Sequence, residues 1–204
     1  MKITNPMFLQ SAGNAGGTFV PYVKMKSAAN KLGVVIVSCE GEISVEYQDN
    51  GIKKTDVYTD LEEVNLYIRA DKNTYATIKG SLTYLDCSGN QLTALDVSGL
   101  NSLTYLDCYG NQLTALDVSG LNSLTYLYCY GNQLTALDVS GLNSLQTLYC
   151  YGNQFLSDSE SATTFADSLY EVEEGKFASM MINGTQAETI QTAAEEKGWT
   201  VTVI

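Results

Sequence analysis

The sequence predicts a mainly β protein with an α/β end piece, built around a short right-handed solenoid of 21-residue coils. A near-identical phrase begins at Leu82, Leu103 and Leu124, and part of it begins again at Leu145, whereas the flanking chain lacks the repeat. A period in the low twenties allows one short strand and one tight return per coil. The predicted divisions are an N-terminal part at 1–81, the coils at 82–155 and a C-terminal cap at 156–204.

Each coil carries apolar positions that it cannot bury alone. In the second coil these are Leu103, Leu106, Cys108, Leu113, Leu116, Val118 and Leu121. If coils stack about 4.8 Å apart, every inward side chain contacts its copies above and below. A turning backbone inside each coil leaves amides and carbonyls that an asparagine can pair. We therefore expect a buried ladder of Asn90, Asn111, Asn132 and Asn153.

The phrase LTYLDCYGNQLTALDVSGLNS from Leu103 resembles the leucine-rich repeat, L-x-x-L-x-L-x-x-N-x-L, with Cys at the third leucine position. The strand-like region before it resembles the Ig- or PKD-like β-sandwich that precedes such repeats in surface proteins of gut commensal bacteria. The ending, a helix followed by Gly-Trp-Thr-Val, resembles their C-terminal cap. The resemblance implies a binding scaffold whose N-terminal β-sandwich covers the apolar edge of the first coil.

Six short strands are predicted ahead of the coils, with the sequences TFVPYVKMK, VVIVSCE, EISVEYQ, IKKTDVYT, VNLYIRA and TYATIKG. Asn50-Gly51, between two alternating segments, predicts a hairpin. SAANKLG, between the first two strands, predicts a helical turn or a loop.

Residues 1–16 are polar and glycine-bearing, with no periodicity and without the apolar stretch of a secretory signal. We expect an arm that is loose, or that is held by its own domain or by a neighbouring subunit. The compartment stays open: cell surface or secreted if a signal was removed, and otherwise virion or cytoplasm.

The C-terminal part predicts two helices and two strands. SDSESATTFADSLYEVEEG predicts a helix with Ser157 or Ser159 as its N-cap, and TQAETIQTAAEEKG predicts a helix with Thr185 as its N-cap. KFASMMING and WTVTVI predict strands, and we expect Trp199 to cover the last coil.

Side chains alternate along a strand, so the residues that flank each inward Leu and Cys face solvent on the concave sheet. They form three columns across the coils: Tyr84, Tyr105, Tyr126 and Thr147; Asp86, Asp107, Tyr128 and Tyr149; Ser88, Tyr109, Tyr130 and Tyr151. Eight of the 14 tyrosines therefore lie on one face.

Two explanations fit this concentration of tyrosine. The coils could be recent duplicates whose exposed positions drift, since Tyr suits an exposed strand. Alternatively, contiguous exposed aromatic area indicates a binding surface, and Tyr is enriched at hot spots and in paratopes. The second explanation predicts that a protein or glycan contacts these ten residues: Tyr84, Asp86, Tyr105, Asp107, Tyr109, Tyr126, Tyr128, Tyr130, Tyr149 and Tyr151.

The net charge of −12 is unevenly distributed. Residues 1–81 hold nine basic and nine acidic side chains. Residues 82–155 hold no basic and five acidic side chains, and residues 156–204 hold two basic and nine acidic ones. An acidic surface without a basic patch argues against nucleic acid and anionic membranes as partners. The sequence also has no apolar run long enough to span a membrane.

Enzymatic and cofactor chemistry is not expected. The chain contains no histidine, which removes Ser-His-Asp and Cys-His arrangements, and it has no GxGxxG or P-loop motif. Stacked at strand spacing, Asp86 and Asp107 would approach the carboxylate separation of retaining glycosidases, but such ladders on an open sheet seldom catalyse. We therefore predict a protein that is not an enzyme and that needs no cofactor.

Two further columns raise the question of metal binding. Cys87, Cys108, Cys129 and Cys150 share one inward position, where we expect free thiols that pack as small hydrophobes. Zinc is disfavoured because its ligands converge, usually from C-x-x-C pairs. For the column of Asp96, Asp117 and Asp138, pairing with turn amides is favoured over calcium. No metal site is predicted.

The preferred functional hypothesis is a non-catalytic recognition or adhesion module that binds through the concave tyrosines. The alternative is a structural subunit of a larger assembly, such as a phage virion decoration or fibre protein or a homo-oligomer. In that case the assembly contacts would involve residues 1–16.

Overall fold

A computed structural model describes residues 22–27, 34–39, 41–61, 64–67, 74–173, 176 and 178–204 of the 204-residue chain. The predicted arm at 1–16 and the predicted turn or loop at 28–33 lie outside these residues. Strand dominates the described chain, which contains two α-helices.

Six strands precede the repeats, and each coincides with a predicted one: β1 (Tyr22–Ser27), β2 (Val34–Cys39), β3 (Glu42–Asp49), β4 (Ile52–Thr59), β5 (Val64–Tyr67) and β6 (Tyr75–Lys79). The hairpin between β3 and β4 is confirmed. Asn50 and Gly51 form its turn with φ angles of 52° and 76°. Asn-Gly is favoured there because both central residues of such a turn need positive φ.

The first coil contributes two strands, β7 (Leu82–Asp86) and β8 (Leu92–Asp96). Each later coil contributes a three-residue strand to the concave sheet, namely β9 (Tyr105–Asp107), β10 (Tyr126–Tyr128) and β11 (Thr147–Tyr149). The C-terminal part comprises a 3₁₀ turn (Gln154–Ser157), α1 (Ser159–Ser168), β12 (Ser179–Ile182), α2 (Ala187–Glu196) and β13 (Thr200–Val203).

The coils stack in phase within one eight-stranded sheet, whose order is β13-β12-β11-β10-β9-β7-β2-β5. Strand β7 and the strands from β9 to β13 run parallel, while β2 pairs antiparallel with β7 and β5 pairs antiparallel with β2. The register pairs Tyr84 with Tyr105, Tyr105 with Tyr126, and Tyr126 with Thr147. Equivalent positions of successive coils are therefore immediate neighbours.

The N-terminal strands are divided between the two faces of the first coil. On the concave side β2 pairs with β7, and on the convex side β1 pairs with β8 in a five-stranded sheet of order β4-β3-β6-β1-β8. Both strands of the first coil thus have a hydrogen-bonded neighbour, which covers the apolar end of the stack. The predicted three-part division and the Ig- or PKD-like character of residues 1–81 stay predictions.

Gly80 joins β6 to β7 in a conformation that suits glycine, with φ of 130°. A Cβ atom there would lie 2.6 Å from Cγ2 of Ile43 and 2.8 Å from the carbonyl oxygen of Glu42. The absent side chain lets the chain pass against β3 as it enters the first coil.

The asparagine ladder is confirmed, because all four side chains are buried, with 6–7% exposure. Asn111 is representative. Its Nδ2 donates to the carbonyls of Cys108 in its own coil and Cys87 in the preceding coil, at 2.9 and 3.1 Å. Its Oδ1 accepts from the backbone amides of Asn90 and Leu92. Asn111, Asn132 and Asn153 therefore each join two coils and satisfy backbone groups that are shut off from water.

The convex aspartates accept turn amides, as predicted. Oδ1 of Asp96, Asp117 and Asp138 accepts from the amide two residues later, at 3.0, 2.9 and 2.8 Å. The four cysteines of the repeat are free, fully buried thiols, and burial raises their pKa values. Cys39 is also free and buried.

The predicted N-caps of the two helices were wrong. Ser157 belongs to the 3₁₀ turn and Ser159 is already helical, while the carboxylate of Asp158 accepts the amide of Ser161 at 2.8 Å. A carboxylate satisfies a free amide and also interacts favourably with the helix dipole. For α2 the N-cap is Gln186, and Thr185 instead donates its hydroxyl to the carbonyl of Ser157.

Helix α1 ends at Ser168, earlier than the predicted segment, and Lys197 caps its C-terminus. The ammonium group donates to the carbonyls of Ala166, Asp167 and Leu169 at 2.8–3.1 Å. A lysine there satisfies carbonyls that the ended helix leaves free.

Trp199 is buried at the C-terminal end, and Tyr170 links it to the last coil. The indole N–H donates to the carbonyl of Tyr170, whose hydroxyl donates to the carbonyl of Leu145 at 2.6 Å. Strand β12 pairs with β11, so the cap also continues the concave sheet. Neither described helix is long and apolar enough to cross a membrane.

Candidate functional site

The concave face is positioned by short strands in which one leucine is buried and its two neighbours point outward. In β9, Leu106 is fully buried while Tyr105 and Asp107 are partly exposed. The predicted columns form because the same alternation repeats in phase in β7, β9, β10 and β11. All ten predicted site residues belong to this face, or to the turn that follows each strand.

The first column is a continuous row of rings. Tyr84 and Tyr105 stack with centroids 4.3 Å apart and planes 8° from parallel. Tyr126 follows at 6.0 Å from Tyr105 and is tilted by 44°.

The third column stacks more regularly. Tyr109 and Tyr130 are 4.7 Å apart with an interplanar angle of 6°, and Tyr130 and Tyr151 are 4.5 Å apart with an angle of 18°. These spacings follow the separation of neighbouring strands, about 4.8 Å. The strand register therefore holds the rings face to face.

The second column links to the first. Tyr105 lies 5.4 Å from Tyr128 at 58°, and Tyr128 meets Tyr149 edge to face at 5.0 Å. Five tyrosines therefore contact one another across the first two columns, and three do so in the third. This cross-column contact was not expected from the sequence, because it depends on side-chain rotamers.

Mutual contact leaves each ring partly covered. Tyr109 and Tyr126 are the most open of the eight, with 39% exposure. Burial raises the pKa of Tyr130 to about 12, and it also raises the pKa values of Tyr105 and Tyr128. These phenols therefore stay protonated near neutral pH and can donate or accept a hydrogen bond.

Asp86 and Asp107 are register neighbours in adjacent strands. Oδ1 of each accepts from the amide two residues later, that of Ser88 at 2.9 Å and that of Tyr109 at 3.0 Å. Burial raises the pKa of Asp107 to about 6; the hydrogen bond from Tyr109 opposes the rise, and the charge of Asp86 adds to it. The sequence did not reveal these turn contacts at the concave edge.

Two cavities lie away from the concave tyrosines. One of about 310 Å³ lies on the convex side between Thr114, Asp117, Thr135 and Asp138. Another, of about 390 Å³, lies on the five-stranded sheet beside Glu46, Lys53 and Tyr75. The tyrosine face is an extended surface, which suits a macromolecule better than a small enclosed ligand. Among the described residues, no group of three metal-binding side chains comes together.

The described lysines lie mainly on the N-terminal five-stranded sheet. Nζ of Lys24 is 4.2 Å from the ring centroid of Tyr75, and Lys26 is 5.9 Å from it. Lys79 pairs with Glu46 and Lys54 pairs with Asp49. These four lysines therefore belong to the five-stranded sheet and not to the concave one.

A family model described as Leucine Rich repeats (2 copies) matches residues 81–123 and 122–163. No curated protein and no solved structure matches the chain. This part of the chain therefore contains leucine-rich repeats. Such repeats are generally non-catalytic scaffolds and indicate a protein–protein interaction module.

Proposed function

We propose that the protein is a non-catalytic recognition module that binds a protein partner on the concave tyrosine sheet. The observation that carries this proposal is the pair of contacting tyrosine groups, eight rings in all, on one side of one sheet. Tyrosine supplies large contact area with few rotatable bonds, together with a hydroxyl that can form a hydrogen bond. Rings held by their neighbours lose little further freedom on binding.

A protein ligand is favoured over a glycan by the way the rings stack. A sugar ring binds an aromatic side chain by lying on an open ring face. In the third column the faces of Tyr109, Tyr130 and Tyr151 cover one another at 4.5–4.7 Å. In this column the ring edges and hydroxyls are left for the partner, and these suit backbone amides and apolar side chains.

The proposal includes a role in adhesion at a bacterial surface, with the N-terminal strands acting as an Ig- or PKD-like cap. Support comes from the resemblance of the strands before the repeats and of the C-terminal ending to gut-commensal surface proteins, and from N-terminal strands that extend both sheets of the first coil. Surface labelling of the producing cell with an antibody against the chain tests this assignment. Absence of the chain from the cell exterior would contradict it.

The binding test compares two quadruple variants. The first replaces Tyr105, Tyr126, Tyr128 and Tyr130 by Ala. The matched control replaces Thr114, Asp117, Thr135 and Asp138 by Ala on the convex side of the same coils. Circular dichroism and thermal unfolding establish that each variant is folded.

The probes are a displayed random-peptide library selected on the intact chain and an array of neutral glycans. We expect selected peptides to lose binding to the tyrosine variant and to bind the convex control as they bind wild type. Selected peptides that bind the folded tyrosine variant normally would show that this face is not the recognition surface. If the intact chain binds glycans and selects no peptide, the partner is a sugar and not a protein.

A structural role in an assembly has one specific observation in its favour. Strand β13 pairs with β12 on one side and ends its sheet, and Val203 and Ile204 are 46% and 59% exposed. No strand among the described residues pairs with the other edge of β13, and such an edge is a template for pairing with another chain. Sedimentation of the intact chain, a chain lacking residues 1–16 and the Val203→Lys variant tests this role. A monomer in all three cases would argue against it.

A further inference from the structure

The charge of the concave face restricts the kind of protein that fits it. At the outward-facing strand positions that the structure describes, from Asn65 in β5 to Thr202 in β13, the charged side chains are Asp86 and Asp107. Residues 82–155 contain no Lys or Arg. A partner placed on this face therefore meets negative charge that the coils themselves do not neutralise.

The two carboxylates lie side by side at the centre of the surface. Asp107 has Asp86 as its register neighbour in β7 and Tyr128 as its neighbour in β10. The rise in the pKa of Asp107 is consistent with a charge that has lost water and faces a like charge. A positive group between the carboxylates would offset both the repulsion between them and the lost hydration of Asp107.

The surrounding rings suit the same kind of group. Tyr105 meets Tyr126 and Tyr128 at 44° and 58°, so these rings do not cover each other face to face. A guanidinium or ammonium group is attracted to an aromatic face, and Arg can also donate to a carboxylate through two N–H groups. Carboxylates and tilted rings thus occur together in the first two columns.

A second copy of the chain is a poor candidate for this position. Each copy has a net charge of −12, so two copies repel one another at long range. Lys24 and Lys26, which could supply such a cation from a second copy, already lie over Tyr75 on the five-stranded sheet. An external partner of opposite charge is favoured both at long range and in contact.

We infer that the partner presents a Lys- or Arg-bearing protein segment to the concave face, with one cation seated between Asp86 and Asp107 beside Tyr105 and Tyr128. This inference rests on the proposed function, since it specifies the partner of that surface. The segment crosses the coils while its cation makes charge-assisted hydrogen bonds to the carboxylates.

The test uses the displayed random-peptide library on the intact chain and keeps clones that need the concave tyrosines. We expect these clones to be richer in Lys and Arg than in Asp and Glu. The most frequent sequence is then synthesised together with a version in which Gln replaces each Lys and Arg. Calorimetry measures both peptides against wild type and two double variants.

The variants remove the same charge from opposite faces. Asp86→Asn with Asp107→Asn alters the concave pair, and Asp117→Asn with Asp138→Asn alters the convex pair. Asn keeps the Oδ1 atom that each Asp uses in its turn, so both variants should fold. We expect the concave double variant and the Gln peptide each to weaken binding about tenfold or more, and the convex variant to bind within about twofold of wild type.

The outcomes separate the inference from the proposed function. Tyrosine-dependent clones without an excess of Lys and Arg, or equal weakening by both double variants, would overturn the basic partner and leave the recognition surface in place. A selection that yields no tyrosine-dependent clone would overturn the surface itself, and the basic partner with it.

Discussion

The rings of Tyr84 and Tyr105 lie face to face, with centroids 4.3 Å apart and planes 8° from parallel. They stack because β7 and β9 are parallel and in register, so identical positions of successive coils become neighbours. The contact gives a side chain that faces water a fixed position before any partner arrives. Its effects on stability and binding are measurable.

Tyr105→Ala should destabilise the fold by roughly 2–3 kcal/mol, because Tyr105 contacts three other rings and aromatic pairs contribute beyond their buried area. Tyr109→Ala is the control in the same coil: its described ring contact is with Tyr130, and we expect a loss of about 1 kcal/mol. Urea unfolding measures both values. Equal losses would show that the cross-column contacts contribute nothing.

Asn132→Ala should lower the stability of the fold by roughly 3–5 kcal/mol, because it leaves buried backbone groups without partners. Nδ2 of Asn132 donates to the carbonyls of Cys108 and Cys129 at 3.0 and 3.1 Å, and Oδ1 accepts from the amide of Leu113. Asn143→Ala, at an exposed position of the same coil, should change stability by less than about 0.5 kcal/mol. Similar effects at both positions would contradict a structural role for the ladder.

Asp107 should make the fold less stable as the pH rises. Its pKa is about 6 in the folded chain against an ordinary 3.8, so folding favours the neutral carboxyl group. That contribution is complete below about pH 4 and is lost as the pH rises through 6. Asp107→Asn should therefore raise the free energy of unfolding by about 1 kcal/mol relative to wild type at pH 7, after allowance for partial exposure. At pH 4 it should change this free energy by almost nothing.

Asp117 is the control, because its contribution to stability changes with pH in the opposite direction. Hydrogen bonds from Ser119 lower the pKa of Asp117, so its ionised form stabilises the fold at neutral pH and the contribution is lost in acid. Asp117→Asn should therefore lose stability near pH 7. The measurement is the thermal midpoint of both variants, relative to wild type, between pH 4 and pH 7. If both differences change with pH in the same direction, the opposite pKa shifts of Asp107 and Asp117 are refuted.

The thiols should be inert in the folded chain. Cys39 and the four cysteines of the repeat are buried, and burial raises the pKa values of Cys87, Cys108, Cys129 and Cys150. Iodoacetamide at pH 8 should modify none of them before unfolding and all five in guanidinium, as read by mass spectrometry. Rapid modification of one thiol in the native chain would indicate an exposed cysteine.

Periodicity made much of the fold predictable. Alternation within a strand requires Leu106 to be buried and Tyr105 to face solvent, and the register between coils follows from the constant spacing. The buried role of Asn111 and the hairpin at Asn50-Gly51 also follow from local chemistry that few other residues satisfy.

What periodicity could not predict depends on tertiary contacts. Helix α1 stops at Ser168, where Lys197, distant in sequence, caps its carbonyls. Asp158 and two serines compete for the same N-cap, and the 3₁₀ turn before the helix decides between them. The contact between Tyr105 and Tyr128 depends on rotamers, so the site was predictable as columns but not as two contacting groups.

Hydroxyl-radical footprinting of each tyrosine, with and without a selected peptide, tests the recognition surface most directly. Tyr75, 45% exposed on the five-stranded sheet, is the internal control. The account predicts that the peptide protects Tyr105, Tyr126, Tyr128 and Tyr130 and leaves Tyr75 unchanged. Protection of Tyr75 with unchanged labelling of the concave tyrosines would contradict it.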